Sequence, residues 1–252
     1  MKKIAFVFAA ALLMVATASC SEEWFPFHVM YGNGTSVEQE IDVHDFNAIK
    51  VLGSMDVYFT QGPESVKLTA DENLAEYYDI ASESGTLCVS NRKGYTLHHK
   101  ARTYLTVSAP ELNKVNIYGS GDCDIRGAVK TADDFFLNIS GSGDINAGGI
   151  ECKMLSVKIT GSGDIEINSV ACNAASLSVM GSGNIEVESM TSTALSLTIS
   201  GSGDANVGCN NAGDITVHIT GSGDVNLWGT ANSLETKITG SGKIDRRNLV
   251  LK

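Results

Sequence analysis

The chain has 252 residues, room for one large domain or two small ones, with 19% charged residues, 7% aromatics and a net charge of −11. That charge makes nucleic acid and anionic lipid surfaces poor partners overall. Its 26 glycines stand against three prolines and gather in a repeat, so they mark architecture rather than disorder.

Residues 1–19 read as a secretory leader. MKK is basic, IAFVFAAALLMVA is apolar but short for a membrane span, and small residues precede Cys20. TASC resembles a bacterial lipoprotein cleavage box, with Thr17 where leucine is usual. The expectation is a lipid on Cys20, the first residue of the mature chain; an ordinary cut near Ser19 with a free Cys20 is the alternative. Glu22 and Glu23 resemble the surface-export signal of Bacteroides-type lipoproteins. Residues 20–45 are expected to form a tether and N-terminal cap, with Trp24, Phe25 and Phe27 packed on the first coil. Loss of the leader removes Lys2 and Lys3 and takes the charge to −13. The location this predicts is the outer membrane, facing the periplasm or the cell surface, with the membrane met through the lipid.

Residues 46–252 are expected to be the head domain. FNAIKVLGSMDVYFTQG at 46–62 is strand, GSMD, strand, and SVKLTA, TLCVSN and RTYLTVSAP supply further strands. The 66 residues from Gly53 to Gly119 leave room for three coils of 22. The 70–102 segment departs most from regularity. It holds Tyr77, Tyr78, Tyr95, His98, His99 and Arg102, aromatic and basic groups of the kind that grip a glycan or a protein ligand. The plainer reading is a loop over a degenerate coil, and RKGYTLHHKAR within it reads as solvated. His98 and His99 are adjacent, so on a strand they face opposite ways and cannot share a metal.

The repeat begins in earnest at Gly119. GSGD starts at 119, 141, 161, 201 and 221, GSGN at 181 and GSGK at 240, in steps of 22, 20, 20, 20, 20 and 19 residues. Before each quartet stand pairs such as Val157 and Ile159, or Leu197 and Ile199. After it stand pairs such as Ile165 and Ile167, or Val225 and Leu227. Polar residues alternate with them, which is the period of a half-buried strand. Both glycines share the inward parity, where a corner leaves no room for a β-carbon. One coil of about 20 residues cannot bury its apolar face alone, but stacked coils can. The reading is an all-β fold, a parallel β-helix or β-solenoid with GSGD corners, of roughly ten coils. Cys123 falls on the inward side as a small core residue, and Arg246 and Arg247 end the apolar columns, blunting an open edge.

Stacking places Asp122, Asp144, Asp164, Asn184, Asp204, Asp224 and Lys243 in one outward column, with a second row of Asp124, Glu166, Glu186 and Asp245 beside it. Like charges about 5 Å apart repel. The preferred reading is that each aspartate accepts hydrogen bonds from the backbone or serine of its own corner. The functional alternative is a calcium ladder of Asp122, Asp144, Asp164, Asp204 and Asp224. No other cofactor is expected. CxxC, HExxH, GxSxG and phosphate-loop patterns are absent, and the GSG is followed by strand rather than helix. Cys152 and Cys172 lie one repeat apart and are expected to be buried thiols, with a disulfide as the alternative.

The repeated L-x-V-x-I-x-G-S-G-D-I, together with residues 46–62, is similar to the putative auto-transporter adhesin head GIN domain family of exported Bacteroidetes-type proteins. The resemblance covers residues 46 to about 245. It implies a right-handed β-helical fold, an envelope location and no catalytic motif. The expected function is a non-enzymatic binding or adhesion module of the cell envelope. A purely structural envelope protein is the alternative, and a carbohydrate-active β-helix enzyme ranks third, because periodic carboxylates suit scaffolding better than one reaction centre.

Overall fold

The computed structural model describes residues 28–252, so the leader, Cys20 and the Trp24–Phe27 packing lie outside the described residues. The first strands in chain order are β1 (His28–Tyr31), β2 (Ser36–Glu40), β3 (Ala48–Gly53), β4 (Asp56–Gln61), β5 (Ser65–Asp71), β6 (Tyr78–Glu83), β7 (Thr86–Asn91), β8 (Tyr95–His98) and β9 (Tyr104–Ala109). A single 3-10 turn, Ala75–Tyr77, separates β5 from β6.

From β10 (Lys114–Gly119) and β11 (Cys123–Lys130) the chain becomes regular. Six more turns follow as strand pairs: β12 (Phe135–Gly141) with β13 (Ile145–Glu151), β14 (Met154–Gly161) with β15 (Ile165–Ala171), and β16 (Ala174–Gly181) with β17 (Ile185–Thr191). The last three are β18 (Ala194–Gly201) with β19 (Ala205–Asn210), β20 (Asp214–Gly221) with β21 (Val225–Ala231), and β22 (Ser233–Gly240) with β23 (Ile244–Leu251). From β10 onward, even-numbered strands stack in parallel into one sheet and odd-numbered strands into the other. The result is a β-solenoid of seven successive turns.

The two sheets face each other across columns of aliphatic side chains. Ile117, Ile139, Ile159, Val179, Ile199 and Ile219 form one column, each no more than 1% exposed. Burying such a side chain contributes about 1.5–3 kcal/mol, so these columns hold the coils together. Cys123 sits in the facing column beside Val57 and Ile145, and burial pushes its thiol up to about 12, as suits a core residue. At the last coil the column opens: Ile238 is 44% exposed. Arg246 and Arg247 occupy a register shift opposite Leu227, so the bulge of the final strand carries both charges.

Three added coils between Gly53 and Gly119 are not present. β3 pairs directly with β10, and β4 with β11, so the GSMD corner lies immediately under the first GSGD corner. The intervening residues fold back beneath. β7 and β9 extend the two sheets in parallel under β3 and β4. β5 and β6 reverse direction and pair antiparallel with β9 and β7, and β2 pairs antiparallel with β5. The β6–β7 turn is Ser84-Gly85, both at positive φ, which suits the twist of a two-residue hairpin. Gln61 locks the detour. Its side-chain amide donates to the Pro110 and Lys130 carbonyls, and its side-chain oxygen accepts from the Lys130 N–H. Strands β1 and β2, within the segment expected to be tether and cap, pair with β8 and β5.

Candidate functional site

The corner is built by close approach between coils. In Gly183 an added β-carbon would lie 2.0 Å from the Gly163 carbonyl oxygen, and the same holds up the column. The nearest obstacle is the backbone of the coil below; the second glycine is also buried, as its inward parity indicates, and in Gly183 the added β-carbon would meet the core side chain of Ile159 at 2.9 Å. The first glycine of each quartet also sits at positive φ, 135° at Gly181.

The aspartate column is a hydrogen-bonded ladder, and its donors are not at the expected place. Asp122 Oδ1 accepts from the Asp144 N–H at 2.9 Å, Asp144 from Asp164 at 2.8 Å, and Asp164 from Asn184 at 2.7 Å. Asn184 accepts from Asp204, Asp204 from Asp224 and Asp224 from Lys243. Each carboxylate thus bonds to the next coil's corner rather than to its own. Asp124, Asn146, Glu166, Glu186, Asn206, Asn226 and Asp245 are in register as a second row. Between the two rows lies a polar cleft of about 260 Å³ around Asp164, Glu166, Asn184, Glu186, Asp204 and Asn206. Among the described residues no group of three or more His, Cys, Asp or Glu side chains is arranged to hold a metal ion.

The six residues marked in the 70–102 segment do not form one site. Tyr77, Tyr95 and His98 gather at the small β1–β8 sheet. Tyr77 and Tyr95 rings lie 4.7 Å apart, and His98 stacks on Tyr31, which is 65% exposed. Tyr78 and His99 turn to the other side, where His99 Nδ1 lies 3.1 Å from the Tyr78 hydroxyl and 3.2 Å from Thr103 Oγ1. Burial pushes the Tyr78 phenol up to about 12 and the His99 imidazole down. Arg102 lies elsewhere, over the rings of Tyr58 and Tyr104, with Arg126 4.3 Å from the Tyr58 ring centre. Beneath the cap, the fully buried Asp71 carboxylate accepts from the N–H groups of Gly34, Lys100 and Ala101. Burial opposes its charge, but those three donors outweigh it and hold its pKa below the usual value.

A feature the sequence reading missed lies on the outer face of the even-numbered sheet. Ala174 and Ala194 stand in register with Met154, and Ser156, Ser176 and Ser196 form the adjacent column. These short side chains let the surface sink into a groove of about 520 Å³, walled at one end by Phe136 and Met154 and reaching Asp214 at the other. Met154 is 49% exposed. Asp134 also lines the groove, and its Oδ1 is buried without a hydrogen-bond partner. The available signal was Phe136, Met154, Ala174 and Ala194 at outward positions where neighbouring coils carry polar residues. The groove's Phe136–Met154 wall and alanine column suit an aliphatic group, with the serine column and the unpartnered oxygen as polar groups nearby.

Comparison with solved structures finds the same fold. A protein described as a putative adhesin from Bacteroides fragilis NCTC 9343 superposes with a TM-score of 0.78 at 21% identity, covering 88% of this chain and 100% of that one. A protein described as a putative lipid binding protein from Parabacteroides distasonis ATCC 8503 gives 0.72 at 26% identity, covering 88% and 99%. A putative adhesin from Parabacteroides merdae ATCC 43184 gives 0.68 at 22%, covering 88% and 99%. No curated protein matches. The family model for the "putative auto-transporter adhesin, head GIN domain" matches residues 45–217 and 173–252. With the stacked GSGD corners and the coverage of that model, the chain belongs to the auto-transporter adhesin head GIN domain family.

Proposed function

We propose that the protein is an exported, non-enzymatic binding module, held at the cell envelope by a lipid on Cys20, and that the groove on the even-numbered sheet is its ligand site. The observation that carries the reading is the groove itself: a wall of Phe136 and Met154 beside a floor of short alanine and serine side chains. The site takes an aliphatic group such as an acyl chain or an apolar side chain, because burying each methylene there contributes about 0.8 kcal/mol. The Parabacteroides distasonis relative described as lipid binding supports that ligand class, and the relatives described as adhesins support a binding role over a reaction. The leader and the TASC box support export and anchoring.

Titration with a fluorescent polyene fatty acid tests the site. Saturable binding is expected, weakened about tenfold or more by Ala194→Trp, which fills the groove, and unchanged by Glu186→Gln on the opposite sheet. Absence of saturable binding, or equal loss in both variants, contradicts the assignment.

A further inference from the structure

Each regular coil returns from the odd-numbered sheet to the even-numbered one through a short corner, and two consecutive corners carry cysteine at the same place. Glu151 pairs with Ala171 just before them and Met154 with Ala174 just after. Cys152 and Cys172 therefore stand one coil apart, at a strand spacing of about 4.8 Å. Disulfides span Cα separations of about 4.4–6.8 Å, so the backbone already meets that requirement. Both backbone N–H groups bond alike, Cys152 to the Ala171 carbonyl at 3.1 Å and Cys172 to the Thr191 carbonyl at 3.0 Å.

The two thiols stand close enough to influence each other's protonation. The backbone of Phe135 acts on the Cys152 thiol and that of Leu155 on the Cys172 thiol, and Phe135 and Leu155 are themselves register partners. The two thiols thus have equivalent neighbours one coil apart. The two thiols are not equivalent. Cys152 is 9% exposed and Cys172 is half-buried. The influence of each thiol on the other favours thiolate on Cys172 and holds Cys152 protonated; burial and the Asp134 carboxylate act on Cys152 in the same direction.

We propose that Cys152 and Cys172 form one thiol–disulfide site, closed by a small disulfide oxidant into a clasp between two consecutive coils. The Cys172 thiolate attacks one sulfur of the external disulfide, that S–S bond breaks, and one thiolate leaves. Cys152 then loses its proton and attacks the Cys172 sulfur of the mixed disulfide, expelling the second thiolate. Two protein thiols are oxidised to one disulfide, and the oxidant's two sulfurs are reduced to two thiols. Met154 and Ala174, two residues beyond the cysteines, belong to the groove wall and floor. The clasp therefore ties the coils where the groove begins, and it constrains the unfolded chain as any loop-closing disulfide does.

The test is reaction of the reduced, folded protein with oxidised glutathione, followed by alkylation, intact mass and peptide mapping. Expected is a product lighter by two hydrogens, with the Cys152 and Cys172 peptides linked and a melting temperature several degrees higher. Cys152→Ser should stop at a glutathione adduct on Cys172, and Cys172→Ser should leave Cys152 unmodified. Serine fits this corner: Ser192 holds the equivalent place one coil on, buried and bonded to the Ala212 carbonyl at 3.1 Å. Accumulation of the Cys172 adduct in the wild-type protein without closure overturns the proposal. So does inertness of both thiols at an oxidant concentration that modifies the urea-unfolded chain.

Discussion

The Asn184 backbone N–H donates to Asp164 Oδ1, one coil away, at 2.7 Å, and the Asn184 side-chain amide donates to the same oxygen at 3.0 Å. The corner carboxylates are rungs between coils. Asp164→Ala should lower stability by about 1 kcal/mol in urea unfolding, the net worth of such bonds. Asp164→Asn should keep most of it, because Asn184 already performs the same acceptor role toward Asp204. Millimolar calcium should leave the wild-type melting temperature unchanged. A calcium-dependent rise that Asp164→Asn abolishes would instead make the column a cation site.

Glycine tolerance separates stacking from turn chemistry. Gly183→Ala places a methyl 2.0 Å from the Gly163 carbonyl oxygen, where backbone must move. A loss of about 3 kcal/mol is expected by thermal or urea unfolding, at the upper end for overpacking. Ser182→Ala, at an exposed position between the glycines, should stay within about 0.5 kcal/mol of wild type. Equal effects would mean that the serine, not the glycine, sets the corner.

The solenoid was legible because its apolar alternation repeats at fixed register; Val157, Leu177, Leu197 and Val217 announce one column before any coordinates. The N-terminal half was not. Gly53 and Gly119 are distant in sequence but adjacent in space, and the detour between them is held by long-range contacts such as Gln61 with Lys130. Tyr77 parts from Tyr78 and His98 from His99 because successive residues here face opposite sides, while Arg102 reaches Tyr58 and Tyr104 on the paired β4 and β9. The groove was hidden because it arises from what Ala174 and Ala194 lack, and small side chains carry no chemical signature.

Asp71 gives the cap a pH dependence. Its folded-state pKa lies below the ordinary value near 3.8, so its contribution is complete above that value. It is lost as the pH falls through the folded pKa, where Gly34, Lys100 and Ala101 lose a charged acceptor. The gap in melting temperature between wild type and Asp71→Asn should be full at pH 7 and narrow below about 3.8. A constant gap would assign Asp71 a role independent of its charge.

Anchoring is tested apart from the fold. Detergent-phase partitioning of the protein expressed with its leader should place the wild type in the detergent phase and Cys20→Ala in the aqueous phase. Aqueous wild-type protein would contradict a lipid on Cys20.

The most direct test of the binding site is crystallographic. A structure of the protein with a bromine-labelled fatty acid should show anomalous bromine density in the groove, between Phe136 and Ala194. Density instead at the Tyr31–His98 stack or along the Asp122–Asp224 column, or none at saturating ligand, would contradict the groove as the ligand site.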